Sequence, residues 1–271
     1  KVSYIKWDMN RSITECYSVA LPADRQGEVF HRYILGVYDL YERLTSEFPE
    51  VLFESCSSGG GRFDPGMLYY APQGWTSDDS DAIERLKIQY GTSLCYPISS
   101  MGSHVSVIPN HQVFRKTPLH TRANVAYFGT FGYELDLNSL KEEEIAEVKE
   151  QIIFMKKYRK LFQFGDFYRL KSPFEGNETI WMVVSEDKKT AIVGYYRTLN
   201  GVNQAYSRIK LQGLDPDMLY ENILNKTENY GDELMNFGLI TTDVTAGEVP
   251  GDATPCTDFE SRIYILKAKE K

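Results

Sequence analysis

The sequence predicts an α/β domain over residues 1–164 and an antiparallel β domain over residues 165–271. In the first part, short apolar runs alternate with longer amphipathic segments, which is typical of parallel strands joined by crossover helices. In the second part, strand-like runs are separated by clusters of Gly, Asp, Asn and Pro, and no convincing helix is predicted. This periodicity alone fits a barrel and a doubly wound sheet equally well.

The elements of the first part follow from local signals. Apolar residues recur at three- and four-residue steps in the predicted helices, which are 28–48, 81–90, 119–127 and 139 to about 160. The last helix is expected to begin with a capping box between Ser139 and Glu142. Short apolar runs predict strands at 2–7, 51–53, 94–98 and 131–135. Residues 55–74 are expected to form a long glycine-rich loop.

The second part is predicted to be an all-β domain of about 105 residues, an ordinary size for a small domain. Two strand-like runs flank Asp187, Lys188 and Lys189, which predicts a hairpin. The predicted strands are 179–186, 190–197, 207–211 and 263–267.

Composition excludes several classes of protein. Lys and Arg number 30 and Asp and Glu 38, so the net charge of −8 argues against a sequence-independent nucleic-acid binder. No apolar stretch approaches the roughly 20 residues that cross a bilayer. The four cysteines are widely spaced without a C-x-x-C pair, so neither a zinc site nor a disulfide framework is indicated. We expect reduced thiols, including Cys256, in a cytoplasmic protein.

The chain opens at Lys1 already in a strand-like run, and we expect it to be part of a longer polypeptide.

The first predicted strand ends with two charged residues. Side chains alternate along a strand, so Lys6 and Asp8 are expected on one face. A neighbouring Lys favours the ionised carboxylate, and an ionised carboxylate at a strand end can attack an anomeric carbon. The alternative is a structural ion pair.

The second predicted strand leads into Ser-Cys-Ser-Ser-Gly-Gly-Gly-Arg-Phe-Asp at residues 55–64. Glycines let backbone amides approach a ligand closely, and no phosphate-loop Gly-Lys-Ser/Thr follows. The loop is therefore either a flexible surface loop or a sugar-contacting loop whose amides, Cys56 and Ser58 meet ring hydroxyls.

A third group of polar residues is the acidic cluster Asp78, Asp79 and Asp81. Residues from Ser77 to Ser80 could cap a helix, and acidic residues are favoured at a helix N-terminus, which would explain two of the three carboxylates. A functional interpretation makes one of them a general acid with a raised pKa, and the spacing does not say which. No calcium-loop pattern is present.

The histidines match no metal-binding motif. His104, His111 and His120 lie in or after the loop that follows the third predicted strand. We expect them to be polar loop residues or substrate contacts rather than metal ligands.

These segments together resemble glycoside hydrolase family 36, the bacterial α-galactosidases. The similarity runs in family order through Lys-Trp-Asp-Met-Asn-Arg at 6–11, the 53–64 loop, the 75–86 segment, and further runs at 87–93, 101–106, 109–112, 121–136 and 231–236. The resemblance therefore covers most of the chain.

The resemblance implies a fold and an activity. Family members carry a (β/α)8 TIM barrel and a C-terminal antiparallel β domain, so this chain corresponds to the second half of the barrel, strands four to eight, followed by that β-sandwich. They cleave terminal α-1,6-linked galactose from melibiose, raffinose and stachyose with retention. No metal or organic cofactor is implied, and members are commonly cytoplasmic tetramers.

The resemblance also implies roles for single residues. Asp8 corresponds to the nucleophile and Asp78 to the acid/base. Lys6, Asn10, Cys56 and Ser58 correspond to galactose-binding positions.

Other galactose-binding residues of the family come from earlier strands that this chain lacks. Half a barrel leaves its first strand unpaired, so we expect residues 1–271 alone to be neither stable nor active without the N-terminal half of the polypeptide. A monodisperse product that unfolds cooperatively would contradict this. Galactosyl transfer of the raffinose- or stachyose-synthase type, α-N-acetylgalactosaminidase activity and a non-catalytic galactoside-binding remnant are the alternatives.

Overall fold

The computed structural model describes residues 1–202, 207–241 and 257–269, so Cys256 lies outside the described residues. The chain forms two compact units, which are residues 1–78 with 100–102 and residues 79–99 with 103–271. The domain boundary predicted after residue 164 lies inside the second unit, and it stays a prediction.

The first unit is built on a parallel sheet with the strand order β1-β2-β3. Its elements are β1 (Tyr4–Trp7), α1 (Val29–Glu47), β2 (Leu52–Ser55), α2 (Pro65–Tyr70) and β3 (Gln73–Gly74). Helix α1 returns the chain so that β2 runs parallel to β1, as a crossover connection requires. The core of this unit contains Tyr41, Phe53, Met67 and Ala71. The C-terminal ends of β1 and β2 therefore lie side by side.

The second unit contains most of the remaining elements. The helices are α3 (Ala82–Ser93), α4 (Leu119–Ala126), α5 (Glu142–Phe164) and α6 (Gly231–Asn236). Strands β4 (Gly102–Ser106) and β5 (Thr130–Glu134) form a two-stranded sheet. The later strands are β6 (Asp166–Lys171), β7 (Glu178–Val184), β8 (Thr190–Arg197), β9 (Arg208–Ile209), β10 (Leu219–Asn222), β11 (Glu228–Tyr230), β12 (Leu239–Ile240) and β13 (Glu260–Ala268).

A six-stranded sheet with the order β11-β10-β13-β8-β7-β6 dominates the second unit. Its pairings are antiparallel throughout. Strands β7 and β8 are buried along nearly their whole length because both faces are covered. Met182 and Val193 pack with Leu211 and Leu234, whereas Trp181 on the opposite face contacts Phe128.

Most predicted elements are confirmed within a few residues, including α1, β2, α4, β5 and the β7–β8 hairpin. The strand predicted at 94–98 is wrong, because α3 continues to Ser93 and the next strand begins only at Gly102. The loop predicted at 55–74 instead contains α2 and β3. The capping box at Ser139 is also wrong. Ser139 lies in a 3-10 turn and donates to the Asp136 carbonyl, and α5 begins at Glu142.

Within the part of the β region that the structure describes, one helix, α6, was not predicted from the sequence. Its six residues are too few to show a helical period. Among the described residues, no helix combines the length and the apolar character that crossing a membrane requires.

Candidate active site

Asp8 follows directly after β1, and two neighbours in the chain contact its carboxylate. The Met9 amide donates to Oδ1 at 2.8 Å, and Asn10 Nδ2 donates to Oδ2 at 2.8 Å. Partial desolvation raises the pKa of Asp8, but hydrogen bonds to the carboxylate outweigh it and hold the pKa below its usual value. The donors are the Cys56 thiol, the Asn10 side chain and the backbone amides of Met9 and Ser58. The arrangement therefore favours an ionised Asp8.

Cys56 follows the end of β2 and is only 2% exposed. Its amide donates to the Trp7 carbonyl at 3.0 Å, which extends the pairing of β1 and β2 up to Asp8. Burial raises the pKa of the Cys56 thiol to about 11, and its hydrogen bond to Asp8 acts in the same direction. The thiol therefore stays protonated at neutral pH and donates to the carboxylate.

The glycine loop joins Asp8 to the loop that carries Asp78. Asn10 Oδ1 accepts hydrogen bonds from the Ser58 amide at 2.8 Å and from Ser58 Oγ at 3.2 Å. The next residue, Gly59, has a φ of +78°, and a Cβ atom there would lie 2.9 Å from the Asp78 amide nitrogen. Asp8 and Asp78 are thus connected through Asn10, Ser58 and Gly59 at one end of the parallel sheet.

The three aspartates of the acidic cluster differ in their surroundings. Asp81 is buried and accepts from the amides of Ile83 and Glu84 as the N-cap of α3. Asp79 Oδ1 accepts from the Asp81 amide at 3.0 Å. Asp78 is exposed. Capping and turn formation therefore account for two of the three carboxylates, but the cap is Asp81 itself and not a residue from Ser77 to Ser80 as the sequence predicted.

Lys6 does not pair with Asp8 as the alternation along the strand predicted. Its Nζ lies 3.7 Å from Glu54 Oε1 and 4.4 Å from the centroid of the Trp75 ring. Glu54 is the register partner of Lys6 across the parallel strands, so the two side chains emerge on the same face. The ionised state of Asp8 therefore depends on hydrogen bonds and not on Lys6.

Sequence reasoning missed two buried charged residues next to this site, Glu54 and Arg62. Arg62 Nη2 donates to the carbonyls of Trp7 at 3.1 Å and Cys56 at 2.6 Å, which ties the ends of β1 and β2 together. A charged residue inside a buried apolar strand was the available signal for Glu54, because such residues are almost never buried unless paired.

Two of the three histidines are not loop residues as predicted, because His104 lies in β4 and His120 in α4. His104 Nδ1 lies 3.6 Å from Glu134, and His120 Nε2 lies 3.1 Å from Glu260. His111 is exposed. Within residues 1–202, 207–241 and 257–269, no three His, Cys, Asp or Glu side chains are grouped so that they could hold a metal ion. Cys16, Cys56 and Cys95 are free thiols.

Comparison with known proteins identifies the family. The model of the melibiase family matches residues 1–165, and that of the glycosyl hydrolase family 36 C-terminal domain matches residues 178–266. The chain belongs to glycosyl hydrolase family 36. The family resemblance that the sequence motifs predicted is thereby confirmed.

Relatives within family 36 match almost the whole of this chain. α-Galactosidase AgaA of Geobacillus stearothermophilus is 58% identical over 100% of this chain, and Mel36A of Lactobacillus acidophilus is 48% identical over 99%. The crystal structure of the Lactobacillus brevis α-galactosidase covers 99% of this chain at 52% identity, with a TM-score of 0.93. This chain spans 35% of the length of AgaA and of Mel36A, and 36% of the L. brevis chain.

Proposed function

We propose that the polypeptide to which this chain belongs is a retaining α-galactosidase. It hydrolyses terminal α-1,6-linked galactose from melibiose, raffinose and related oligosaccharides. Asp8 is the nucleophile and Asp78 the acid/base, whereas Lys6, Asn10, Cys56 and Ser58 bind the galactosyl unit. Two carboxyl groups carry the reaction, which needs neither a metal nor an organic cofactor.

The observation that carries this proposal is the environment of Asp8. A carboxylate at a strand end, with a lowered pKa and four hydrogen-bond donors, is ionised and oriented at neutral pH. In the glycine loop, the Ser58 amide donates to Asn10, the residue that contacts Asp8. The next residue, Gly59, packs against the backbone of Asp78. A retaining glycosidase requires two carboxyl groups, one as nucleophile and one as acid/base.

The reaction proceeds by two displacements. Asp8 attacks the anomeric carbon while the protonated Asp78 gives its proton to the departing glycosidic oxygen, which forms a covalent galactosyl ester. Asp78, now ionised, takes a proton from water as the water attacks the same carbon. The bond to Asp8 breaks, Asp78 is protonated again, and galactose leaves with its α configuration.

Solved structures of relatives support the substrate class. Variants of AgaA from G. stearothermophilus have been crystallised in complex with raffinose and with stachyose, each at 53% identity to this chain. One carries an Asp-to-Asn and the other an Asp-to-Ala substitution. The two substituted positions are separated along the sequence by as many residues as Asp8 and Asp78 are in this chain. This equal spacing supports the assignment of the two carboxylates.

The proposal includes the rest of the polypeptide. Residues 1–164 form the second half of a (β/α)8 barrel, strands four to eight, and residues 165–271 form the C-terminal β-sandwich. A cavity of about 810 Å³ at β1, lined by Ile5, Leu44 and Phe48, supports the packing of further elements there. The N-terminal half completes the barrel and contributes the missing galactose contacts. The whole protein is a cytoplasmic homo-oligomer, a tetramer as in the family.

The experiment is a time course of p-nitrophenyl α-galactoside hydrolysis by the intact parent polypeptide, with Asp8→Asn beside it. Turnover that is lost in this variant supports the proposal, and full activity in the variant contradicts it. Tight galactose binding without turnover in the wild type indicates a binding remnant instead.

Adding sucrose as an acceptor and separating the products distinguishes hydrolysis from galactosyl transfer. An N-acetylgalactosaminide substrate tests the remaining alternative.

A further inference from the structure

The Lys6 ammonium is held between a carboxylate and an aromatic ring. Its Nζ lies 3.7 Å from Glu54 Oε1 and 4.4 Å from the centroid of the Trp75 ring. The Lys6 side chain is 38% exposed and that of Glu54 only 3%. One side of the ammonium therefore faces protein, and the other stays accessible to a ligand.

Glu54 is itself fixed by three neighbours. Its Oε2 accepts hydrogen bonds from the Tyr4 hydroxyl and from Gln73 Nε2, the latter at 3.0 Å. Its Oε1 is buried and has no hydrogen-bond partner within the described part of the chain, and it faces Lys6. An ionised carboxylate is costly to bury unless an opposite charge accompanies it. The position of Lys6 is thus coupled to the presence of Glu54.

The Trp75 ring is also confined. The backbone amide of Trp75 donates to the carbonyl of Ser55, at the end of β2, at 2.9 Å. A Cβ atom added to Gly102 would lie 2.7 Å from Trp75 Cε3 and 3.5 Å from Glu54 Oε1. The glycine therefore lets the ring and the carboxylate occupy their places next to Lys6. A cation over a Trp face gains additional electrostatic attraction.

We propose that Glu54 and Trp75 are positioning residues for Lys6, which hold its ammonium as a preorganised donor to a hydroxyl of the galactosyl unit. This inference rests on the proposed function, in which Lys6 contacts galactose. A flexible lysine loses side-chain entropy when it binds a ligand, and fixing it beforehand removes that cost. A donor already in place also discriminates strongly against a sugar that lacks the hydroxyl.

The test is a double-mutant cycle on kcat/KM in the intact parent polypeptide with p-nitrophenyl α-galactoside. The variants are Lys6→Met, Glu54→Gln and the double variant. If Glu54 acts through Lys6, Glu54→Gln lowers kcat/KM by about tenfold in the wild type and by less than about twofold in the Lys6→Met background. Glu28→Gln is the control, because Glu28 pairs with Arg25 and Arg32 on the surface of the same unit, and this variant should change kcat/KM by less than about twofold.

Additive effects of the two substitutions would overturn the inference, because Glu54 would then act independently of Lys6. If Glu54→Gln does not fold, Trp75→Leu replaces it in the same cycle with the same expectations. A parent enzyme that hydrolyses the substrate equally well with Lys6→Met also overturns the inference and removes Lys6 from the proposed galactose-binding residues, whereas the proposed hydrolysis by Asp8 and Asp78 stands. A wild-type parent without any hydrolysis contradicts the proposed function itself.

The deoxy analogues of the substrate give a second measurement. The galactosides that lack one hydroxyl at C-3, C-4 or C-6 are compared in the wild type and in Glu54→Gln. The penalty for removing the hydroxyl that Lys6 contacts should fall severalfold in the variant, and the other two penalties should stay the same. Equal penalties for all three analogues in both enzymes would contradict the proposed positioning.

Discussion

A Cβ atom at Gly59 would lie 2.9 Å from the amide nitrogen of Asp78 and 2.7 Å from the Ser77 Cα. The glycine loop therefore contacts the backbone of the segment that holds the proposed acid/base. Gly59 also has a φ of +78°, a conformation that a residue with a Cβ atom rarely adopts. The distance between the two loops accordingly depends on this glycine.

We predict that Gly59→Ala lowers kcat/KM for p-nitrophenyl α-galactoside by about a hundredfold, because a shift of about 1 Å at a reacting group has such an effect. The control is Gly36→Ala in α1, where no atom lies within 4 Å of the added methyl group. That substitution should stabilise the enzyme by roughly 0.5–1 kcal/mol and leave kcat/KM unchanged. Unchanged activity in Gly59→Ala would show that the loop contact does not set the position of Asp78.

The pH dependence tests the contacts of Asp8. Asn10 donates to the ionised carboxylate and helps to hold the pKa of Asp8 below its usual value. Asn10→Ala removes a donor that favours the charged form, so the pKa of Asp8 should rise. The acid limb of the kcat/KM profile should then move to higher pH. Ser58→Ala, which keeps the Ser58 amide, should leave the limb in place. An acid limb that stays in place in Asn10→Ala contradicts this account of Asp8.

The reactivity of the thiols tests the bond between Cys56 and Asp8. The pKa of Cys56 is raised to about 11 by burial and by its hydrogen bond to Asp8, whereas Cys16 and Cys95 are exposed. Iodoacetamide at pH 8 should label Cys16 and Cys95 in the intact enzyme and leave Cys56 protonated and unlabelled. Peptide mass spectrometry reads the labelling at each site. Rapid labelling of Cys56 at pH 8 would contradict a protonated thiol.

The role of Cys56 toward the substrate needs separate variants. Cys56→Ala removes the donor, and Cys56→Ser keeps one. If the side chain contacts the galactosyl unit, KM rises in Cys56→Ala and recovers partly in Cys56→Ser. An unchanged KM in Cys56→Ala would rule out the substrate contact.

Arg62 supplies a prediction for stability. Its guanidinium is buried and bonds the carbonyls of Trp7 and Cys56 at 3.1 Å and 2.6 Å. Arg62→Met should cost about 1–3 kcal/mol, because it removes hydrogen bonds to a charged donor. It should also lower kcat, because the strand end that carries Asp8 loosens.

The control is Arg169→Met, which removes an arginine bonded to the Ser93 carbonyl at 2.9 Å. That variant should lower the melting temperature without changing kcat. Equal kcat values in both variants would contradict a special role of Arg62.

The accuracy of the sequence predictions depended on how local each signal was. Helix α1 and the β7–β8 hairpin were predicted closely, because nineteen residues of helical period and a hairpin turn are visible in the chain itself. Strand β3 has only two residues and forms by pairing with β2. No periodic pattern can mark such a short strand, so the sequence predicts a loop there.

The candidate site shows the same limit. The sequence motifs predicted which residues near the strand ends belong to the site. The alternation of side chains along β1 predicted that Lys6 and Asp8 form a pair. The actual partner of Lys6 is Glu54, which is in register with it on β2 but 48 residues away in the chain. Register between strands is a long-range property that one strand does not encode. The start of α3 near the acidic cluster was predictable because capping is local, but the sequence predicted the cap at 77–80 and the structure has it at Asp81.

The assignment of Asp8 as nucleophile and Asp78 as acid/base is tested most directly by azide rescue in the intact parent polypeptide. Asp8→Gly and Asp78→Gly are each incubated with p-nitrophenyl α-galactoside and sodium azide, and NMR spectroscopy determines the anomeric configuration of the galactosyl azide. Azide that replaces the nucleophile attacks from the opposite face, so Asp8→Gly should give the β-azide. Azide that attacks the galactosyl ester in Asp78→Gly should give the α-azide. The same anomer from both variants, or full hydrolysis without azide in Asp8→Gly, would contradict the assignment.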